Sequence, residues 1–166
     1  MTDTPRYVLA PYLPTPKEVV DRMIALAGVQ PHDVVYDLGC GDGRLVIGAA
    51  RLGARGLGVD IEPYWVEQSR TNADLAGVAD LARFEHADAM HFDLTPATVV
   101  FLYLVDWSTR RISRELVKRC TPGTRVVSHS FAFTEFPAAR TESFVDADGR
   151  TRSIHLWVIP TAHAAE

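Results

Sequence analysis

Cysteine is scarce in this sequence, and the two cysteines present, Cys40 and Cys120, lie far apart. They do not form a disulfide framework, and together with the six histidines they show no spacing that suits a zinc site. The chain also lacks low-complexity tracts, internal repeats and any apolar run long enough to cross a bilayer. Its first segment, Met1–Leu13, has no basic region followed by a sustained apolar stretch. These absences predict a cytoplasmic protein without a metal site or a membrane contact.

Composition is that of an ordinary globular protein. Hydrophobic residues make up 47% of the 166-residue chain and charged residues 23%. This length suits a single domain with a continuous core and leaves little room for a separate substrate-binding domain. The net charge of -4 argues against a dedicated nucleic-acid binder and suits a basic protein target or a small molecule.

The segment VVYDLGCGDGR, Val34–Arg44, is the most informative part of the chain. An apolar strand runs into Asp37 and then into three glycines on alternate residues, which allow a sharp turn and the close approach of a ligand to backbone amides. A dinucleotide fingerprint would need its third glycine where Arg44 stands, and the Gly-Lys-Ser/Thr of a phosphate loop is absent. The pattern D-x-G-x-G-x-G instead resembles motif I of the class I S-adenosylmethionine-dependent methyltransferases.

Carboxylates follow three successive predicted strands. After Asp37, Asp60 ends the next strand about twenty residues beyond the loop, where nucleotide-binding βαβ units place the acid that accepts hydrogen bonds from ribose hydroxyls. Asp88 follows the third strand in Ala87–Ala89, which resembles the family motif whose acid contacts the adenine amino group. Each acid alone is explained equally well as a cap of a helix or turn. The three together, behind this loop, favour a cofactor site at the carboxyl edge of a parallel sheet.

Alternating strands and helices predict an α/β fold: a Rossmann-like seven-stranded, mostly parallel sheet with helices on both faces and a C-terminal antiparallel hairpin. Thr15–Glu18 reads as a capping box with proline at the first helical position, starting a helix that ends at Gly28. Asp148 and Gly149 predict the hairpin turn. Strands are expected at 34–38, 56–60, 81–86, 99–103, 125–130, 141–145 and 153–159, and further helices at 43–52, 63–76 and 108–119, with at most one helical turn between 86 and 98.

We expect one domain over residues 1–166. In it, an N-terminal segment and helix (1–30) cover the cofactor site, a Rossmann-like core spans 31–160, and a tail spans 161–166.

Segments outside the glycine loop carry a more specific resemblance. The Tyr-x-Pro-Thr-Pro sequence at Tyr12–Pro16, the Leu-Tyr-Leu sequence within Val99–Leu104 and GTRVVSHSF at Gly123–Phe131 are together similar to the compact archaeal, bacterial and mitochondrial protein-lysine methyltransferases, which are distantly related to a group of histone methyltransferases. This resemblance, over about Tyr12 to Phe131, implies in-line transfer of a methyl group from S-adenosylmethionine to a protein lysine amine. It implies a protein partner and no nucleic acid, and it leaves the oligomeric state open.

The same resemblance assigns the site residues. Tyr12 and Tyr103 would border the methyl-transfer pocket as the catalytic residues. The residues expected to hold the cofactor are Thr15, Asp37, Gly39, Cys40, Gly41, Asp60, Ile61, Asp88 and Ala89.

Four residues have a second interpretation. Thr15 is explained equally well by its place in the capping box, and Tyr12 by simple packing. Asp106 either caps a helix or orients an incoming amine. His129 is interpreted as a hydrogen-bonded core histidine rather than a base.

Other functions compete with lysine methylation. Enzymes that methylate exocyclic base amines often carry an acid or Asn before Pro-Pro-aromatic at the end of the fourth strand, where this chain has Phe101–Leu104. A basic stripe on the helix at 108–119 is interpreted as a solvated face rather than a phosphate-binding surface. A small-molecule methyltransferase would need a deeper apolar pocket, for which only Phe131–Pro137 is available. A non-catalytic cofactor-binding module would require that the segment around Tyr12 does not close over the site.

Overall fold

The structure is a computed structural model that describes residues 15–102, 106–129 and 137–161, with the backbone alone for residues 106–110. The strands are β1 Val34–Leu38, β2 Arg55–Asp60, β3 Ala82–His86, β4 Val99–Leu102, β5 Arg125–His129, β6 Arg140–Val145 and β7 Thr151–Val158. The helices are α1 Lys17–Ala27, α2 Arg44–Arg51, α3 Pro63–Leu75 and α4 Asp106–Arg119, with a short 3-10 turn at Ala89–His91.

The strands form one seven-stranded sheet in the order β3-β2-β1-β4-β5-β7-β6. Strands β1 to β5 are parallel, and β7 and β6 add an antiparallel hairpin at one side. The chain leaves β1 towards β2 and β3, then returns to place β4 and β5 on the other side of β1. The carboxyl ends of β1 and β4 therefore flank a topological switch point, which is where open α/β sheets bind ligands.

Both faces of the central strands are covered by helices. Val100 and Leu102 of β4 belong to the core cluster that includes Ile112 of α4, whereas Val99 and Phe101 belong to the cluster formed with α1. Since successive residues of a strand point to opposite faces, a strand buried on both sides needs an unbroken apolar run. The predicted fold is thereby confirmed.

The observed bounds lie within two residues of the predicted ones wherever both ends are described. The predicted ends of β4 and β5, at Tyr103 and Ser130, fall outside the described residues. The hairpin turn is confirmed, because the Asp146 N–H donates to the Arg150 carbonyl and Gly149 has a φ of 79°. Among the described residues, no helix is long and apolar enough to span a membrane.

The predicted capping box at the start of α1 is wrong. Helix α1 begins at Lys17, one residue after the proline, and no side chain caps it. The Glu18 carboxylate does not reach back to the helix start; it accepts a hydrogen bond at 3.2 Å from the backbone N–H of Ala147, in the β6–β7 turn. Arg22 lies over the ring of Phe144 at 4.0 Å, so tertiary contacts with the hairpin position this helix.

Candidate active site

The glycine loop joins β1 to α2 at the carboxyl edge of the sheet. Its φ angles are 84° at Gly39, 54° at Gly41 and 86° at Gly43, a region that other L-residues rarely adopt. The N–H groups of Gly39 and Cys40 both donate to the Val59 carbonyl at 2.9 Å. The loop therefore folds across the end of β2.

Packing restricts the loop on one side and leaves it open at one residue. A Cβ on Gly43 would lie 2.8 Å from Cζ of Phe84, and a Cβ on Gly58 in β2 would lie 2.6 Å from Cβ of Cys40. By contrast, no described atom lies within 4 Å of the position that a Cβ on Gly39 would take. Such a cradle, packed below and open at Gly39, leaves room for a ligand against the backbone.

Helix α3 holds the loop with two side chains. Ser69 Oγ donates to the Gly41 carbonyl at 2.6 Å, and Asn72 Nδ2 donates to the Asp42 carbonyl at 2.9 Å. Sequence reasoning missed both residues. The available signal was two polar residues three positions apart on a helix face that also carries the buried residues Val66 and Ala73.

Asp37 brings a buried carboxylate to the switch point. Its side chain is 4% exposed, and in register it lies between Gly58 of β2 and Phe101 of β4. Within the described ranges its carboxylate receives no hydrogen bond. Burial, followed by the charges of Asp60 and Asp42, raises the pKa of Asp37 well above its usual range. A buried carboxylate of this kind is complementary to a cationic group, which would stabilise its ionised form.

Asp60 ends β2 and connects two backbone segments. Its Oδ2 accepts from the Gly41 N–H at 3.0 Å and its Oδ1 accepts from the Glu62 N–H at 2.9 Å. A carboxylate has about four acceptor positions, so both oxygens can accept further bonds from ligand hydroxyls. The neighbouring Ile61 carbonyl lies 2.9 Å from Nε2 of His86, at the end of β3.

Asp88 lies beside Asp60, because the Ala87 N–H donates to the Asp60 carbonyl at 3.1 Å. Its Oδ1 accepts from the Met90 N–H at 2.9 Å and caps the 3-10 turn. The side chain is 28% exposed, which leaves Oδ2 open to a ligand. Ala89 is buried in the first position of the turn. The structure thus brings Asp37, Asp60 and Asp88 together on the ends of three adjacent strands, as the sequence predicts.

Thr15 reaches the glycine loop through Arg44. The Arg44 guanidinium donates from Nη1 to the Thr15 carbonyl at 2.5 Å and from Nε to the Asp42 carboxylate at 3.0 Å. Arg44 stands where a dinucleotide fingerprint has its third glycine, and here it links the chain that enters α1 to the loop. The predicted catalytic residues Tyr12 and Tyr103 lie outside the described residues.

Two further polar groups near these strand ends are neutral at pH 7. Burial, with the charges of Asp37 and Asp60, raises the pKa of the Cys40 thiol, which disfavours the nucleophilic thiolate. Burial, and to a lesser extent the charge of Arg152, lowers the pKa of His129 to about 4. Across the described part of the chain, no group of three His, Cys, Asp or Glu side chains is arranged to hold a metal ion.

Comparison with known proteins identifies close relatives. Residues 37–140 match the family described as the ANTKMT methyltransferase domain. A protein-lysine N-methyltransferase of Saccharolobus islandicus is 35% identical over 151 residues, which cover 90% of this chain and 93% of that protein. A lysine N-methyltransferase of Mus musculus, named for ATP synthase, is 29% identical over 133 residues, and this chain spans 53% of its length.

A solved structure is similar over nearly its whole length. It is described as an RNA methyltransferase from Salinibacter ruber in complex with S-adenosyl-L-homocysteine, with 48% identity and a TM-score of 0.83. The alignment covers 89% of this chain and 94% of that one.

Proposed function

This chain belongs to the ANTKMT methyltransferase domain family and is an S-adenosylmethionine-dependent methyltransferase, and from that premise we propose that its methyl acceptor is a lysine side chain of a protein. The observation that carries this proposal is the 35% identity to a named protein-lysine N-methyltransferase over 90% of this chain and 93% of that protein. The family, the enzyme class and the cofactor inferred from the glycine-loop motif are confirmed.

The described residues at the loop fit the cofactor. When bound, S-adenosylmethionine supplies a methyl group that is already activated by a positively charged sulfur. Asp37 is a buried carboxylate at the switch point, and we assign it to the cationic amino-acid part of the cofactor. Gly39, Cys40 and Gly41 supply the backbone that the cofactor lies against.

The other two acids fit the nucleoside. Asp60 retains acceptor positions for the ribose hydroxyls, and Asp88 leaves Oδ2 for the adenine amino group. Ile61 and Ala89 follow these acids directly and supply the adjoining backbone. Thr15 is assigned to the cofactor site because Arg44 ties its carbonyl to the loop.

The acceptor must meet the methyl group in line with the S–CH3 bond, away from water. A lysine amine, with an unperturbed pKa of about 10.4, must first lose its proton, and an apolar channel lowers the amine pKa by desolvation. β4 contributes the buried side chains of Phe101 and Leu102 beside the switch point, which supports such a channel. We assign Tyr12 and Tyr103 to its border, where they would orient the amine.

RNA is the second candidate acceptor, because the 48% identical solved structure is described as an RNA methyltransferase. The charge of this chain favours lysine instead. Its net charge is -4, and acids supply much of the described carboxyl edge: Asp37, Asp42, Asp60 and Asp88. An acidic edge attracts a cationic lysine segment, whereas binding to a polyphosphate backbone depends on Lys and Arg contacts.

The acceptor class is tested with the purified chain, methyl-labelled cofactor and a cell extract. The products are divided by nuclease, by protease and by removal of small molecules, and labelled protein is hydrolysed to amino acids. We expect label that survives nuclease and is recovered as methyl-lysine. Label lost to nuclease would select RNA, and label in the small-molecule fraction would overturn both acceptors.

A matched pair of variants shows whether this chain makes the label. Asp60→Ala removes a proposed cofactor contact, whereas Asp80→Ala removes an exposed carboxylate in the turn before β3. We expect methyl-lysine with Asp80→Ala and strongly reduced methyl-lysine with Asp60→Ala. Equal labelling by the two variants would attribute the label to the extract.

A further inference from the structure

Arg119, the last residue of α4, holds the turn that follows Asp88. Its Nη1 donates to the Ala89 carbonyl at 3.2 Å and to the Met90 carbonyl at 2.9 Å, and its Nη2 donates to the Phe92 carbonyl. One cation thus satisfies three carbonyls of the connection between β3 and β4. Only a forked guanidinium presents enough donors in this geometry.

The turn has few bonds of its own. It is a 3-10 helix of three residues, with one backbone hydrogen bond from the His91 N–H to the Asp88 carbonyl and one cap from the Asp88 side chain to the Met90 N–H. Short 3-10 turns have poor hydrogen-bond geometry and little intrinsic stability. The position of the turn therefore depends on partners outside it, of which Arg119 makes three contacts.

The same turn fixes Asp88. Its Oδ1 is used by the Met90 N–H, so the direction of the remaining oxygen follows from where the turn lies. The geometry points to Arg119 as a positioning residue for the cofactor: it holds the turn so that Asp88 accepts the adenine amino group. This inference rests on the assignment of Asp88 made under the proposed function, and it does not depend on which acceptor is methylated.

Binding of two nucleosides tests the inference without an acceptor. S-adenosylhomocysteine carries the adenine amino group, and S-inosylhomocysteine carries an oxygen in its place. Calorimetry on the unaltered chain should give tighter binding of the adenosyl compound. In Arg119→Met, we expect the affinity for the adenosyl compound to fall by about tenfold, the size of one lost hydrogen bond to a charged acceptor. The affinity for the inosyl compound should change little, so that the discrimination between them narrows.

Three comparison variants complete the design. Lys118→Met removes a neighbouring exposed cation on α4 and should retain full discrimination. Asp88→Ala should remove the discrimination, and adding Arg119→Met to it should have little further effect. Arg119→Lys, which keeps the charge without the fork, should restore part of the discrimination, and it replaces Arg119→Met if that variant does not fold.

The outcomes separate the two assignments. Equal losses of affinity for both nucleosides in Arg119→Met would give Arg119 a purely structural role and overturn the inference. Equal binding of both nucleosides by the unaltered chain would remove Asp88 from adenine recognition, and the inference would fall with it. Neither result bears on lysine as acceptor, which is decided by the labelling experiment.

Discussion

The Asp60 carboxylate accepts a hydrogen bond from the Gly41 N–H at 3.0 Å, so the acid at the end of β2 directly fixes the glycine loop beside it. The same carboxylate accepts from the Glu62 N–H, at the entry to α3. Because α3 in turn holds the loop through Ser69, the loop is tied to both ends of this connection. Asp60 therefore supports the shape of the site and faces the proposed ribose position.

Replacing Asp60 by alanine should weaken binding of S-adenosylhomocysteine by more than tenfold, since hydrogen bonds to a charged acceptor contribute roughly 1.5 to 3 kcal/mol each. Isothermal titration calorimetry measures this change. Asp80→Ala, at an exposed turn position, is the matched control and should bind as the unaltered chain does. An unchanged affinity in Asp60→Ala would remove Asp60 from the cofactor site.

Gly58→Ala should damage the same site from beneath. The added Cβ would lie 2.6 Å from Cβ of Cys40 and 2.7 Å from Cδ1 of Phe84, so the loop residue must shift. We expect the free energy of unfolding to fall by about 1 to 3 kcal/mol, as for other overpacked cores, and cofactor binding to weaken.

The control for Gly58→Ala is Gly48→Ala in α2. Its Cβ would meet Cδ1 of Ile24, the movable end of a flexible side chain, and alanine favours the helix. Denaturant unfolding and calorimetry should therefore separate the two variants. Equal cofactor affinity in both would contradict the packing argument.

The sequence predicts the fold well where its signals are local. The apolar run at Val99–Leu102 and the Asp148–Gly149 turn each depend on neighbouring residues, and both predictions are confirmed. The capping box at Thr15–Glu18 has an equally local pattern but is wrong, since Glu18 contacts Ala147, which is 129 positions away in the chain. Tertiary contacts outweigh a local capping preference at that helix.

The site divides in the same way. The glycines and Asp37, Asp60 and Asp88 are found from the sequence because strand ends and loops have recognisable residues. Asn72 and Arg119 are missed because each contacts a carbonyl 30 positions away, and a carbonyl acceptor leaves no trace in the sequence. The roles of Tyr12 and Tyr103 and the cytoplasmic location stay predictions.

Asp33, at the opposite end of the sheet from the site, should govern stability in acid. Burial alone would raise its pKa, but the Gln30 N–H, the Thr98 hydroxyl and the Arg125 guanidinium together lower the pKa of Asp33 below its ordinary value. The stabilisation is therefore fully present above the unfolded-state pKa of about 3.9 and is lost as the pH falls through the lower folded-state pKa.

Asp33→Asn should reduce the free energy of unfolding by about 2 kcal/mol at pH 6, the size of a hydrogen-bond network to a charged acceptor. The difference from the unaltered chain should shrink at pH 3. Denaturant unfolding at both values measures it. Asp21→Asn, which removes the partner of Lys17 in an exposed ion pair, should change stability by less than about 1 kcal/mol. A loss in Asp33→Asn that is equal at both pH values would contradict the role of its charge.

His129 should weaken the folded state in mild acid. Its side chain is fully buried, and its pKa is lowered to about 4, whereas an unfolded histidine has a pKa of about 6.5. Between these values the unfolded chain binds the extra proton, so His129 makes stability fall as the pH falls, by up to about 1.4 kcal/mol per pH unit. Below the folded-state pKa the contribution is lost entirely.

His129→Gln removes the titrating group at this position. The unaltered chain should lose more stability than the variant between pH 6.5 and pH 4.5, as measured by denaturant unfolding. An NMR titration of the imidazole in the unaltered chain gives an independent measurement, because the ring signals should stay those of a neutral histidine at pH 5.5. Since a neutral imidazole with so low a pKa is almost fully deprotonated but weakly basic at pH 7, the same result would make His129 a poor acceptor for the proton of a lysine amine. A titration midpoint near 6.5 would contradict both conclusions.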